Sequence, residues 1–212
     1  GKTRVISRRT AYAIATDVVP ADQVLVVTFT AKAAREMVDR LEALGLPSVT
    51  ARTFHAHALS QLRHFWPLFH DGAPLPDLLE SKAPLLAPLV RALPMPHRFT
   101  PTKDVADEIE WAKSRSLTPA TYETAVTGTA RIPVRRPPIP MDQFLGIFAA
   151  YERAKDRSGR IDFDDMLLRT IDILRDSPEA AEAVRARKRW FSVDEYQDTN
   201  PLQQSRSEEH TS

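Results

Sequence analysis

The sequence contains no cysteine among its 212 residues. A disulfide framework, a thiol nucleophile and a cysteine-based zinc site are therefore excluded. No run of about 18 apolar residues is present, so no membrane-spanning helix is expected, and the first residues lack the apolar core of a signal peptide. The formal net charge is only +1, too small to indicate nucleic-acid binding by bulk charge. We expect a cytoplasmic globular protein in which any nucleic-acid surface is a local patch.

The charge is distributed unevenly along the chain. Residues 1–65 hold nine basic and five acidic side chains, whereas residues 161–212 hold seven basic and twelve acidic ones. This asymmetry favours phosphate binding by the N-terminal part of the chain and metal binding by the C-terminal part. Scattered surface charge would give the same totals. Prolines also cluster, with eight in residues 67–101 and four in residues 133–140, which favours short helices, loops and an extended connector there.

The two ends of the sequence have an α/β pattern. Residues 23–29 and Trp190–Val193 form short apolar runs typical of strands buried in a parallel sheet, and a second short strand is predicted at residues 48–51. Helices are predicted at 31–44, 101–115, 119–126, 141–158, 162–175 and 178–188, with caps at Thr100, Thr118, Asp162 and Ser177. We therefore predict an α/β domain divided by a mainly helical insertion.

Two short motifs, one basic and one acidic, indicate nucleotide chemistry. Gly1, Lys2 and Thr3 match the end of a phosphate loop, in which the lysine contacts phosphates and the threonine hydroxyl binds Mg²⁺. Asp194 and Glu195 follow an apolar strand, where the first carboxylate can hold Mg²⁺ and the second can act as a general base. The alternative for this acidic pair is structural, as a helix cap or a partner of the basic residues 187–189.

Two related strings place hydroxyl and aromatic groups at strand-to-helix turns. They are Thr28-Phe29-Thr30 and Thr53-Phe54-His55. Hydroxyls and helix N-termini bind strand phosphates, and an exposed phenylalanine can stack on a base, although phenylalanine more often lies in a core. His55 and His57 could indicate a metal site, but no cysteine and no third ligand accompany them, so a capping or hydrogen-bonding role is favoured.

The order of these motifs resembles that of UvrD/Rep-type superfamily 1 DNA helicases. The resemblance covers residues 1 to about 204 and extends to the helical insertion at residues 108–119. The segments that carry it are Gly1-Lys2-Thr3, residues 28–37 (TFTAKAAREM), 53–56 (TFHA), 162–167 (DFDDML) and 193–200 (VDEYQDTN). It implies an incomplete RecA-like P-loop ATPase core at residues 1–66 and 160–204, with an insertion subdomain at 67–159.

The resemblance also implies a function and assigns roles to residues. Members of this family hydrolyse ATP with Mg²⁺, move 3′ to 5′ along single-stranded DNA and unwind duplex DNA. By motif, Gly1 and Lys2 would bind the phosphates, Thr3 and Asp194 the Mg²⁺, and Glu195 would activate water. Gln197 would sense the γ-phosphate. The residues expected along the DNA are Thr28, Phe29, Thr30, Thr53, Phe54 and His55.

The sequence departs from the family at both ends. The upstream glutamine segment, the strand before the phosphate loop and the second motor domain are absent, and the first residue is not methionine. Residues 205–212 interrupt an expected apolar helix and resemble a translated sequencing adapter, so we interpret them as non-native. We expect this 212-residue polypeptide to be a fragment without helicase activity of its own.

Three other interpretations remain open. A non-catalytic single-strand-binding module would not need both Asp194 and Glu195, since an unused buried acidic pair is costly. A P-loop nucleotide kinase would not need the threonine-phenylalanine strings. A helicase–nuclease of the same family would carry its nuclease outside this sequence.

Overall fold

The computed structural model describes residues 2–128 and 135–194. The chain forms two compact units, one built from Gly1–Leu75 and Met166–Ser212 and the other from Pro76–Asp165. Among the described residues, no helix has both the length and the apolar character needed to cross a membrane.

The first unit contains a three-stranded parallel sheet. Strands β1 (Val24–Thr28), β2 (Thr50–Thr53) and β5 (Trp190–Val193) lie in the order β2-β1-β5. All five residues of β1 are buried, because β1 is the central strand and helices cover the sheet. This arrangement confirms the apolar strands predicted at both ends of the sequence and explains why β1 has no polar face.

Five of the α-helices in the described part of the chain belong wholly or mainly to the first unit. They are α1 (Lys2–Ala15), α2 (Ala31–Ala43), α3 (Phe54–Phe69), α8 (Phe163–Asp176) and α9 (Pro178–Arg187). Helix α2 ends before Gly45, whose φ of +77° is the left-handed conformation that glycine tolerates best. The Ser177 hydroxyl accepts a hydrogen bond from the Ala180 N–H, which confirms the predicted cap of α9.

The second unit is mainly helical. It contains α4 (Ala83–Arg91), α5 (Thr102–Lys113), α6 (Tyr122–Gly128) and α7 (Met141–Arg157), with two short parallel strands, β3 (Asp77–Leu78) and β4 (Arg160–Ile161). Its core consists of apolar side chains from all four helices, among them Leu86, Ile109, Tyr122, Phe144 and Tyr151. The predicted helical insertion is therefore present. Residues 129–134 of the predicted extended connector lie outside the described residues.

Several predicted boundaries are wrong, each for a local reason. Strand β2 begins at Thr50 rather than at residue 48, because Thr50–Thr53 is the segment that pairs with β1. Pro101 has an extended ψ of 128° and occupies the N-cap position itself, so Thr100 does not cap α5. The Thr118 N–H donates to the Thr121 hydroxyl in a turn, which delays the start of α6 to Tyr122.

The start of α8 confirms a reciprocal cap. The Asp165 N–H donates to Asp162 Oδ1 at 2.9 Å, and the Asp162 N–H donates to Asp165 Oδ2 at 3.0 Å. Two otherwise unpaired donors of the first turn are thus satisfied by the side chains three residues apart. The three-residue spacing of these aspartates predicted this arrangement from the sequence.

Candidate functional site

The parallel register brings the predicted motifs to one edge of the sheet. Thr28 at the end of β1 lies opposite Thr53 at the end of β2, and Val27 lies opposite Val193 at the end of β5. Because parallel strands share a carboxyl edge, motifs separated by more than 160 residues in sequence become neighbours. Ligands of open α/β sheets bind at this edge.

Asp194 is fixed where β5 ends. Its N–H donates to the carbonyl oxygen of Val27 at 2.8 Å, which extends the β1–β5 ladder by one residue. The residue is only 2% exposed. A carboxylate is therefore held by the sheet itself at the carboxyl edge, as the sequence predicted.

The threonine hydroxyls at this edge also organise the following helices. The Thr30 hydroxyl accepts from the Ala33 N–H and the Thr53 hydroxyl accepts from the Ala56 N–H, both at 3.1 Å, so each threonine caps a helix. A hydroxyl that accepts one bond still has its own proton to donate. Thr30 and Thr53 can therefore cap a helix and donate to a phosphate oxygen at the same time.

Thr28 differs from these two threonines. It is 1% exposed, and its hydroxyl donates to the carbonyl oxygen of Thr30 at 3.1 Å. The hydroxyl proton of Thr28 is thus engaged within the turn, which it stabilises. The DNA-binding role of Thr28 stays a prediction.

The two phenylalanines of these strings have opposite environments. Phe29 is 48% exposed, whereas Phe54 is 3% exposed and lies in the core. Stacking on a base requires an accessible ring face, which Phe29 has and Phe54 lacks. His55, next in the chain, is half-buried. The sequence could not separate the two rings, because both strings have the same residue pattern.

Helix α1 packs in the same core cluster as β1. Ala13 near its end packs in one cluster with Val19 and Val24, and the Arg9 guanidinium lies 5.4 Å from the ring of Trp190, the first residue of β5. The later half of α1 thus lies near the amino ends of the strands.

Part of the predicted site lies outside the described residues. Gly1, Glu195, Gln197 and the tail at residues 205–212 lie outside the described residues, and Lys2 is described only as the first residue of α1. Thr3 is half-buried in the first turn of that helix. The roles given to these residues stay predictions.

Two polar features were missed by the sequence analysis. One is a cluster of buried lysines and aspartates in the second unit, which includes Lys113 and Lys155. The other is a cavity lined by basic residues in the first unit. The sequence predicts the run Arg187-Lys188-Arg189 as an alternative partner of the acidic pair, but the Lys188 ammonium group donates to the Asp22 carbonyl oxygen and the Thr50 hydroxyl.

Comparison with known proteins decides the family. Residues 1–207 match the family described as the UvrD/REP helicase N-terminal domain. The chain belongs to this family. The UvrD/Rep resemblance is thereby confirmed, together with the fold class, an incomplete RecA-like parallel-sheet core interrupted by a mainly helical insertion.

Individual relatives in the UvrD/Rep family are similar over nearly the whole chain. ATP-dependent DNA helicase UvrD2 of Mycobacterium tuberculosis is 40% identical over 215 residues, which cover 96% of this chain and 30% of the relative. ATP-dependent DNA helicase PcrA of Bacillus subtilis is 29% identical over 209 residues, or 96% and 27% of the two chains. The chain thus spans less than a third of the length of these relatives.

Proposed function

We propose that this chain is the ATP-binding half of an ATP-dependent 3′–5′ DNA helicase. The observation that carries the proposal is the meeting of Thr28, Thr53 and Asp194 at one carboxyl edge of a parallel sheet. The relatives named above are ATP-dependent DNA helicases, which supports the same activity for the whole protein. A second motor domain outside this chain would complete the ATP site.

The nucleotide would bind between the first turn of α1 and the end of β5. Lys2 would contact the β- and γ-phosphates, with Gly1 beside it. The threonine hydroxyl of Thr3 and the carboxylate of Asp194 are hard oxygen donors, which suit Mg²⁺. When bound, this ion would neutralise charge on the phosphates.

Two further residues would act on the reaction and its coupling. Glu195 follows Asp194 directly and would accept a proton from the attacking water as the general base. Gln197 would contact the γ-phosphate region and link its state to DNA binding. Both roles rest on the family motif.

Single-stranded DNA would cross the turns that follow β1 and β2. The exposed ring of Phe29 would stack on a base, and the Thr30 and Thr53 hydroxyls would donate to phosphates. His55 would lie along the same path. Thr28 and Phe54 would position the two turns from below, since both are buried. The helical insertion at residues 67–159 would contact duplex DNA.

The test compares Glu195→Gln with wild type in the protein joined to its second motor domain. We expect loss of DNA-stimulated ATP turnover while ATP binding is retained, because the substitution removes the base and keeps the shape of the side chain. Glu179→Gln, an equivalent change at an exposed residue of α9, is the matched control. Turnover retained in Glu195→Gln would remove this residue from the base role. Single-strand binding by a wild-type protein that does not hydrolyse ATP would favour a non-catalytic binding module.

The 212-residue polypeptide alone should not unwind DNA, since it supplies only one side of the ATP site. An assay of DNA-stimulated ATP turnover with this polypeptide checks the expectation. Measurable turnover would show that the described core is sufficient.

A further inference from the structure

A basic cavity lies on one face of the sheet in the first unit. Its volume is about 290 Å³, and its walls are the sheet, α3 and α9. The polar lining includes Thr50 and Arg52 from the sheet, His57 and His64 from α3, and Arg187 and Lys188 from the α9 side.

The charge around this cavity has one sign. Arg52, Arg187 and Lys188 are cationic, and the lining contains no carboxylate. Among the described residues, Arg52 and Arg187 have no carboxylate within ion-pair distance. Like charges held together raise the free energy of the folded protein, and an anion between them lowers it.

Lys188 shows the effect of this concentration of charge. Its ammonium group donates to the carbonyl oxygen of Asp22 at 2.6 Å and to the Thr50 hydroxyl at 3.1 Å, which holds it at the cavity wall. Burial and the nearby charge of Arg52 lower the pKa of Lys188, although Asp22 opposes the shift. Lys188 thus contributes positive charge from a fixed position, while the two arginines remain available for direct contacts.

The cavity is separate from the candidate nucleotide site. Lys188 precedes β5 and Thr50 begins β2, so both lie at the amino end of the sheet. Asp194 follows β5 at the carboxyl end. A ligand held by Lys188, Arg187 and Arg52 would therefore not occupy the position assigned to the triphosphate.

We propose that this cavity is a second anion site, which binds a small phosphate-type oxyanion through Arg52 and Arg187. Guanidinium groups form paired, charge-assisted hydrogen bonds with phosphate oxygens. The volume lies at the lower end of the range for small-molecule pockets, which favours inorganic phosphate or pyrophosphate over a larger ligand. The proposal does not depend on ATP hydrolysis by the protein.

The experiment titrates the protein with inorganic phosphate and, separately, with sodium chloride at matched ionic strength. NMR signals of the His57 and His64 rings report on the cavity, and the signal of His97 in the second unit serves as an internal control. We expect a saturable shift of the two cavity histidines with phosphate and a smaller, non-saturating change with chloride. Pyrophosphate should compete with phosphate.

Variants decide whether the arginines bind the anion. Arg187→Ala and Arg52→Ala should each weaken phosphate binding about tenfold, as expected for loss of a charge-assisted hydrogen bond. Arg185→Ala is the matched control, because it removes one charge from the same helix at a residue paired with Glu182 and outside the cavity. Equal losses in all three variants would overturn the proposal. So would equal shifts with chloride, or binding of a short oligothymidine without binding of phosphate.

Discussion

The ammonium nitrogen of Lys113 lies 2.7 Å from Oδ2 of Asp162, a residue 49 positions later in the chain. The same nitrogen lies 2.5 Å from Oδ1 of Asp165, and the ammonium nitrogen of Lys155 lies 2.6 Å from Oδ2 of Asp165. The Tyr151 hydroxyl donates to Asp162 at 2.8 Å. Buried charge therefore joins α5 and α7 to residues 162–165, all within the second unit.

Lys113→Met should destabilise the protein strongly. Lys113 is 3% exposed, and its removal leaves Asp162 and Asp165 with Lys155 as their remaining close cation. Breaking a buried ion pair by removing one partner costs about 3–5 kcal/mol, because an uncompensated charge stays buried. Urea unfolding monitored by circular dichroism measures the change in the free energy of unfolding.

Lys103→Met provides the comparison within the same helix. Lys103 pairs with Asp107 four residues later, but both side chains are exposed. Exposed pairs of this kind contribute little to stability, because water and salt screen them. If Lys103→Met and Lys113→Met lowered the free energy of unfolding equally, burial of the cluster would not be the source of its strength.

The stability of the protein should fall as the pH rises from about 4 to about 6. Burial raises the pKa of the Asp164 carboxyl to about 6, although Lys82 lies 3.0 Å away and opposes the shift. The folded state therefore binds a proton in this pH range that the unfolded chain releases near pH 4. By linkage, this group lowers the free energy of unfolding by about 2–3 kcal/mol as the pH rises between those two values. Above pH 6 it causes no further loss.

Asp164→Asn should abolish this contribution. Free energies of unfolding at pH 4.5 and pH 7.5 measure it, and the ¹³C carboxyl signal of Asp164 should titrate near pH 6 in the wild type. Glu110→Gln is the control, because it removes one charge beside the same Lys82 from a side chain that is 64% exposed. An unchanged pH slope in Asp164→Asn would contradict the assignment.

Asp162 should have the opposite effect at lower pH. Burial alone would raise its pKa, but Lys113 and then Lys155 outweigh burial and hold the pKa well below its ordinary value. Its contribution to stability is thus present above about pH 4 and is lost as the pH falls toward the folded-state pKa. The pKa values of Asp162 and Asp164, two residues apart, are therefore shifted in opposite directions from the ordinary value for aspartate.

Local patterns in the sequence predicted much of the fold but little of this cluster. The apolar runs predicted β1 and β5, and the aspartate spacing predicted the reciprocal cap of α8, because neighbours in sequence determine both. The pairing of Lys113 with Asp162 depends on how α5 packs in the second unit. A lysine near the end of an amphipathic helix looks like an ordinary surface residue until that packing is known.

The candidate site also combines features that the sequence predicted with features that it did not. The apolar run before Asp194 predicted that this carboxylate lies at the carboxyl end of a strand. Exposure was not implied, since Phe29 and Phe54 occupy the same position in two similar strings. Their burial depends on which side of each turn faces the core.

Thr53→Ala should weaken both the fold and DNA binding, whereas Thr53→Ser should preserve both. The Thr53 hydroxyl caps α3 by accepting from the Ala56 N–H, and loss of such a cap costs about 1 kcal/mol. The substitution would also remove the proton that this hydroxyl donates to a DNA phosphate. Urea unfolding and oligothymidine binding measure the two effects, and wild-type DNA affinity in Thr53→Ala would leave this residue with the capping role alone.

Phe29→Ala and Phe54→Ala should affect different properties of the protein. Because Phe29 is 48% exposed, its truncation should change the free energy of unfolding by less than about 1 kcal/mol. It should weaken oligothymidine binding by about 1–3 kcal/mol if the ring stacks on a base. Phe54 is 3% exposed, so Phe54→Ala should lower the free energy of unfolding by about 3–5 kcal/mol through the cavity it leaves. Fluorescence anisotropy with labelled oligothymidine and urea unfolding separate the two effects, and unchanged DNA affinity in Phe29→Ala would show that the exposed ring does not contact DNA.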